Sequence, residues 1–191
     1  MYFEREVEKG RSREGKGAVP NTFRVYVSTD LGGDLDDIQS LYRLIHYSDT
    51  LRVEGIGSCT GPGSTPRADV IREWIHRVDV DALRAGGYPE LMGEQALLAG
   101  VTQGATTPGI PSHDRSTEAP RQIVECARGG GDDPLWVLVW GSITDVAQAL
   151  FEAPEIANRI RIHFIGSSNT VNDPESRDWV YAFMSDRYPE L

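Results

Sequence analysis

The chain is 191 residues long, 39% hydrophobic and 25% charged, with a formal net charge of −10. That length supports one domain with a sizeable core, and the acidity excludes a nucleic-acid backbone as a natural partner, suiting instead a cation or a small neutral substrate. No apolar run approaches the roughly 18–20 residues needed to cross a bilayer, and the opening MYFEREVEKGRSREGKG lacks the apolar stretch of a signal peptide, so a cytoplasmic setting is expected.

Residues 1–22 are charged and without sustained periodicity, which predicts a flexible arm, or one packed on a partner subunit of a homo-oligomer, with the folded domain over 23–191. Val25, Tyr26 and Val27 then open a strand, and Ile38, Leu41, Leu44 and Ile45 recur at helical spacing. Leu51 to Cys59 predicts a second strand, in which Gly55 and Gly57 allow close approach of a neighbouring backbone. After the turn cluster TGPGSTP, Thr65 is expected as N-cap and Pro66 at the first position of a helix carrying Val70, Ile71, Trp74 and Val78. Residues 79–115 show little pattern. Pro89 to Leu98 suits a short helix, and VTQGATTPGIPSHDR reads as a long loop of the kind that often carries function.

Ser116 or Thr117 is expected to cap a helix through Ala127, ended by glycines 129–131. Leu135 to Trp140 is a continuous apolar run, as expected of a strand buried on both faces. Thr144 to Phe151 reads as a helix, Arg159 to Gly166 as a strand, and a last helix is expected around Trp179 to Met184. Cys59 and Cys126 lack metal-ligand spacing and read as small buried hydrophobes, one ending a strand and one on a helix. Strands alternating with helices predict an α/β, Rossmann-like, mostly parallel sheet flanked by helices.

Ligands of such sheets bind beyond the carboxyl ends of the strands. Those ends are Asp30 to Asp37, Thr60 to Ser64, Trp140 to Ser142, and Gly166 to Asn169. The first holds four aspartates in eight residues, Asp30, Asp34, Asp36 and Asp37, around Gly32 and Gly33. Like charges so close need a positive partner, and oxygen-only donors suit a hard cation, calcium or magnesium. Asp36 or Asp37 also reads as an N-cap, or as a first-turn acid favoured by the helix dipole, which leaves the other acids unexplained. His113 reads as a general acid or an exposed loop residue, His163 as a core residue, and His46 and His76 as surface positions. Trp140 suits packing or a pocket wall. Asn169 suits either a hydroxyl-binding amide or a turn asparagine.

The segment TDLGGDLDDIQSLYRLIHYS, residues 29–48, resembles the aspartate-rich signature D-x-D-P-G-x-D-D of nucleoside hydrolases. It is closer to the opening of a nucleoside hydrolase-like domain found in proteins some of which are described as cellulose-binding. PLWVLVWGSITDVAQAL, residues 134–150, and ADVIREWI, residues 68–75, extend the resemblance from about Arg24 to the C-terminus. The resemblance implies a calcium-dependent hydrolase that cleaves the N-glycosidic bond of a nucleoside or related riboside. The alternative is a sugar- or nucleoside-binding domain that keeps the cation site without turnover. It further implies that Asp30 ligates calcium and activates the attacking water, that Asp37 and the Trp140 carbonyl are further calcium ligands, and that Asp36 and Asn169 hold sugar hydroxyls. Asp30 lies two residues further from the Asp36–Asp37 pair than in the hydrolases, and the motif proline is absent. The hydrolases also carry a late calcium-ligating aspartate, preceded by histidine, that is not found before Leu191, so a domain shortened at its C-terminus is the expectation.

Overall fold

The computed structural model describes residues 23–32 and 35–187. The arm expected over residues 1–22 lies outside them, as does Asp34. Among these residues, five strands and the helices between and after them run in the order β1 Phe23–Thr29, α1 Leu35–His46, β2 Leu51–Ser58, α2 Ala68–Arg77, α3 Val80–Ala85, α4 Glu94–Ala99, β3 Val101–Gln103, α5 Glu118–Gly129, β4 Leu135–Val139, α6 Thr144–Glu152, β5 Ile160–Phe164, α7 Ser168–Asn172 and α8 Pro174–Arg187. The strands form one parallel sheet in the order β3-β2-β1-β4-β5, the α/β architecture expected. No described helix is long and apolar enough to cross a membrane.

Side chains alternate across a strand, and the central strand β1 shows how the two faces are used. Val25 and Val27 join a core with Leu41, Leu44 and Ile45 of α1 and Ile71 and Ile75 of α2. Tyr26, between them, points into a second core with Ile123 of α5, Val146 and Leu150 of α6, and Val180 of α8. Both cores are mainly aliphatic, and β1 contributes to each.

Gly55 and Gly57 make room for a side chain rather than for a backbone. A Cβ at Gly55 would lie 2.6 Å from the Tyr26 ring and one at Gly57 2.3 Å from its hydroxyl. Tyr26 is fully buried, so its hydroxyl needs a partner, and it lies 3.3 Å from Thr102 Oγ1 and 3.4 Å from Ala119 O.

Several local expectations are corrected. The helix α2 starts at Ala68 with Arg67 as its N-cap, so Thr65 and Pro66 stand before it. Its first amide is satisfied from elsewhere: Ala68 N donates to Gln103 Oε1, 3.0 Å away on β3. The first three residues of the supposed loop VTQGATTPGIPSHDR are that edge strand, whose short length gave no periodic signal. Thr117 is the N-cap of α5, without a side-chain capping bond.

The apolar run of β4 is not buried on both faces, since Trp136 is 38% exposed. His163 is exposed rather than a core residue. On β5, Ile160, Ile162 and Phe164 join the core with Val180 of α8, while Arg161 and His163 alternate onto the exposed face. Cys59 is buried and Cys126 partly so.

Candidate functional site

Parallel strands present all their carboxyl ends at one edge, and here the order reverses direction between β1 and β4. A sheet of this kind opens a crevice at such a reversal. Asp30 follows β1 at this point, Cys59 to Gly61 follow β2, and Trp140 to Ser142 follow β4. Main-chain bonds stitch the ends together: Cys59 N donates to Thr29 O, Trp140 N to Ser28 O and Ser142 N to Thr60 O, each at 2.8 Å.

Asp30 is fitted closely among them. A Cβ at Gly61 would fall 1.5 Å from its Oδ2, and one at Gly141 2.9 Å from its Cβ. Glycine at both flanking strand ends is therefore what leaves room for the carboxylate. Asp37 comes from the first turn of α1 and is buried, its Oδ2 accepting the Thr29 hydroxyl. Because α1 begins at Leu35, neither Asp36 nor Asp37 is its N-cap. Asp36 is exposed and accepts the Asp37 amide at 2.9 Å.

The Asp30 and Asp37 carboxyls lie close enough for each to act on the other's ionisation. Burial, and next the charge of Asp37, push Asp30 up to about 7. Burial also raises Asp37, although hydrogen bonds from Thr29 and Asp30 favour its charged form. Two carboxyls in contact can share a proton or a cation. The chain leaves β4 beside this pair, since a Cβ on Gly141, the residue after Trp140, would lie 2.9 Å from Asp30 Cβ, and carboxylate and main-chain oxygens are the donors that suit calcium or magnesium. Among the described residues no three acidic, histidine or cysteine side chains converge as ligands, so a cation here would depend on the Trp140 carbonyl as well as the acid pair.

Asn169, 7% exposed in α7, reaches this carbonyl directly. Its Nδ2 donates to Trp140 O at 2.7 Å and to Ile165 O at 3.1 Å. Both amide protons thus go to the main chain, and the side-chain oxygen is what Asn169 has to offer a ligand. A recess of about 580 Å³ is walled by Pro62, Ser168, Val171 and Asn172, of which Pro62 and Ser168 are next in sequence to Gly61 and Asn169. The larger recess, about 890 Å³, lies away from these acids between β5 and α8, against Ile160, Ile162, Phe164, Val180 and Met184.

Sequence reasoning missed a buried hydroxyl chain behind the acids. Thr60 Oγ1 lies 2.5 Å from Ser142 Oγ, which lies 3.1 Å from Thr144 Oγ1, which donates to Asp173 Oδ2 at 2.6 Å. Asp173 also accepts the Ser176 amide in the first turn of α8. The Asp-Pro pair at 173–174 was the available signal, since acid then proline marks a helix start.

Asp145 was missed as well. It is fully buried, and its Oδ1 accepts Ala105 N at 2.9 Å and the Thr117 hydroxyl at 3.5 Å, tying down both ends of the segment 105–117. Its Oδ2 has no partner, and burial pushes the group up to about 7. His113 is exposed, its ring edge-on to Phe151 at 5.0 Å. His46 and His76 are exposed on helices, as expected.

Residues 24–191 match the family model described as "Cellulose-binding Sde182, nucleoside hydrolase-like domain". No curated protein matches the chain in sequence. Among solved structures, a nucleoside hydrolase-related hypothetical protein from Saccharophagus degradans associated with carbohydrate metabolism is similar at 22% identity and a TM-score of 0.66, over 78% of this chain and 40% of that one. A plant nucleoside hydrolase, PpNRh1, is similar at 16% identity and a TM-score of 0.57, over 85% of this chain and 57% of that one. A purine-preferring ribonucleoside hydrolase from Gardnerella vaginalis gives 19% identity and 0.55, over 84% and 58%. At these identities the likeness is one of fold. The chain spans less than two thirds of the length of each of these proteins.

Proposed function

Because the chain belongs to the family of the cellulose-binding Sde182 nucleoside hydrolase-like domain, we propose that it is a calcium-dependent hydrolase of the N-glycosidic bond of a nucleoside or related riboside. The observation that carries this reading is the Asp30–Asp37 pair at the reversal of strand order: Asp30 fitted against Gly61 and Gly141, Asp37 buried beside it, and Asp30 raised to about 7. Asp30, Asp37 and the Trp140 carbonyl would hold the cation. Calcium acts as a Lewis acid that makes water more acidic and orients it. In this reading Asp30 accepts a proton from the attacking water, and exposed Asp36 receives hydrogen bonds from sugar hydroxyls. Cleavage at the anomeric carbon builds positive charge on the sugar, which the facing carboxylates stabilise.

Calcium titration by calorimetry tests the cation site. Binding by wild type and its loss in Asp37→Asn are expected, and no binding by wild type sinks the reading. Base release from a panel of nucleosides, lost in Asp30→Asn, tests turnover.

A second reading is a sugar- or nucleoside-binding domain without turnover. It is favoured by the family's cellulose-binding description. Saccharide or nucleoside binding that depends on calcium, with no product released, would select it.

A further inference from the structure

We propose that Asn169 is a positioning residue for the main-chain carbonyl of Trp140, an assignment that rests on the calcium reading of the Asp30–Asp37 pair. The peptide that follows β4 is held from two directions. Its amide end is fixed to β1, where Trp140 N donates to Ser28 O at 2.8 Å. Its carbonyl end is fixed by Asn169 Nδ2 at 2.7 Å, and the same nitrogen bonds Ile165 O beyond the end of β5. Asn169 thus ties two strand ends together past their last ladder bonds.

The next peptide abuts the acid site, since a Cβ on Gly141 would come 2.9 Å from Asp30 Cβ and 2.8 Å from Thr60 O. A carbonyl oxygen has two lone pairs. One taken by an amide proton leaves the other for a cation, and the bond restrains the direction in which the oxygen can point. An asparagine amide suits this task because two neighbouring carbonyls require a group with two donors.

The chain gives up backbone comfort to place it there. Ser167, just before α7, has φ 58° and ψ −125°, a left-handed region that a residue with a side chain enters only when its surroundings hold it. The turn at residues 166–168 is what brings Asn169, buried to 7% exposure, under the Trp140 carbonyl.

Calorimetric calcium titration of wild type, Asn169→Leu and Asn169→Ser tests the assignment, with melting temperatures taken without calcium. Leucine keeps the branching at Cγ, in a bulkier side chain, and removes both donors, whereas serine keeps one short donor that cannot span both carbonyls. Calcium affinity is expected to fall about tenfold to hundredfold in Asn169→Leu, the range found when a partner behind a metal ligand is removed. A fall is also expected in Asn169→Ser, which carries the test if the leucine variant does not fold. Equal calcium affinity in wild type and the folded variants overturns the positioning role and leaves the calcium reading standing. Affinity for calcium kept while nucleoside affinity is lost assigns Asn169 to the substrate and also overturns it. No calcium binding by wild type removes both together.

Discussion

Burial beside Asp37 raises Asp30 to about 7, so between its ordinary value of 3.8 and that point the folded chain holds a proton that the unfolded chain has released. Folding then binds protons, and stability falls as pH rises. The contribution is present in full below about 3.8 and lost as pH climbs through about 7. Asp30→Asn keeps the shape and removes the charge. It should therefore raise the stability of the calcium-free protein at pH 8 by about 1 kcal/mol, a figure reduced for partial exposure to solvent, while abolishing calcium binding and base release. Chemical denaturation at pH 4 and pH 8 checks this, since wild type and variant should differ at the higher pH and converge at the lower.

Asp145 is raised to the same value by burial but is not one of the proposed cation ligands, so added calcium should relieve the Asp30 part of the slope and leave the Asp145 part. Asp145→Asn should flatten that remainder. The sequence made Asp30 and Asp37 legible because four acids at one strand-to-helix turn are hard to explain otherwise. Asp145 was illegible because one aspartate after a small-residue turn looks like any first-turn acid, and only the fold shows that residues 105 and 117 close over it.

Elements with a strong period were read correctly, and of the short ones α4 falls largely within the helix expected over Pro89 to Leu98, whereas β3 and α7 were not read. The helices α1, α5 and α6 and the strands β1, β2, β4 and β5 each have enough residues to show their pattern, and they lie where expected within a few positions. The edge strand β3 has three residues and α7 five, too few to carry any periodicity. The start of α2 was misjudged because its first amide is satisfied by Gln103, a residue 35 positions away that no local motif announces. In α7 the deciding residue is Ser167, which the sequence gives no reason to place at positive φ. Glycine enters that region freely, so Ser167→Gly should raise stability by about 1 kcal/mol, the relief of strain less the added entropy of glycine in the unfolded chain. The midpoint of urea unfolding is the measurement, and a fall in stability would mean that the serine hydroxyl, not the backbone, matters there.

Seen whole, the molecule has its proposed chemistry at one edge of the sheet and two apolar cores on its opposite faces. One core joins β1, β2 and β3 to α1, α2 and α4, and the other joins β4 and β5 to α5, α6 and α8. The two are not independent, because alternate residues of β1 enter each, and Leu138 and Trp140 of the β4 segment pack toward the first core while Val137 and Val139 lie in the second. Separating the cores would require breaking the β1–β4 ladder, where four residue pairs from Val25–Trp136 to Ser28–Val139 stand in register. Asp30 and the Trp140 carbonyl emerge from these same two strands, so the site sits at the seam that couples the cores. The two cores should therefore unfold together. Leu41→Ala in the first and Leu150→Ala in the second, both fully buried residues, should each cost about 2–5 kcal/mol. Each should also lower the midpoint of one shared transition, with its denaturant slope unchanged. Fluorescence and far-ultraviolet dichroism should trace coincident curves for wild type and both variants. If instead Leu150→Ala produced an early transition that spared α1 and α2, the two faces would be separate folding units, and the seam would not couple them.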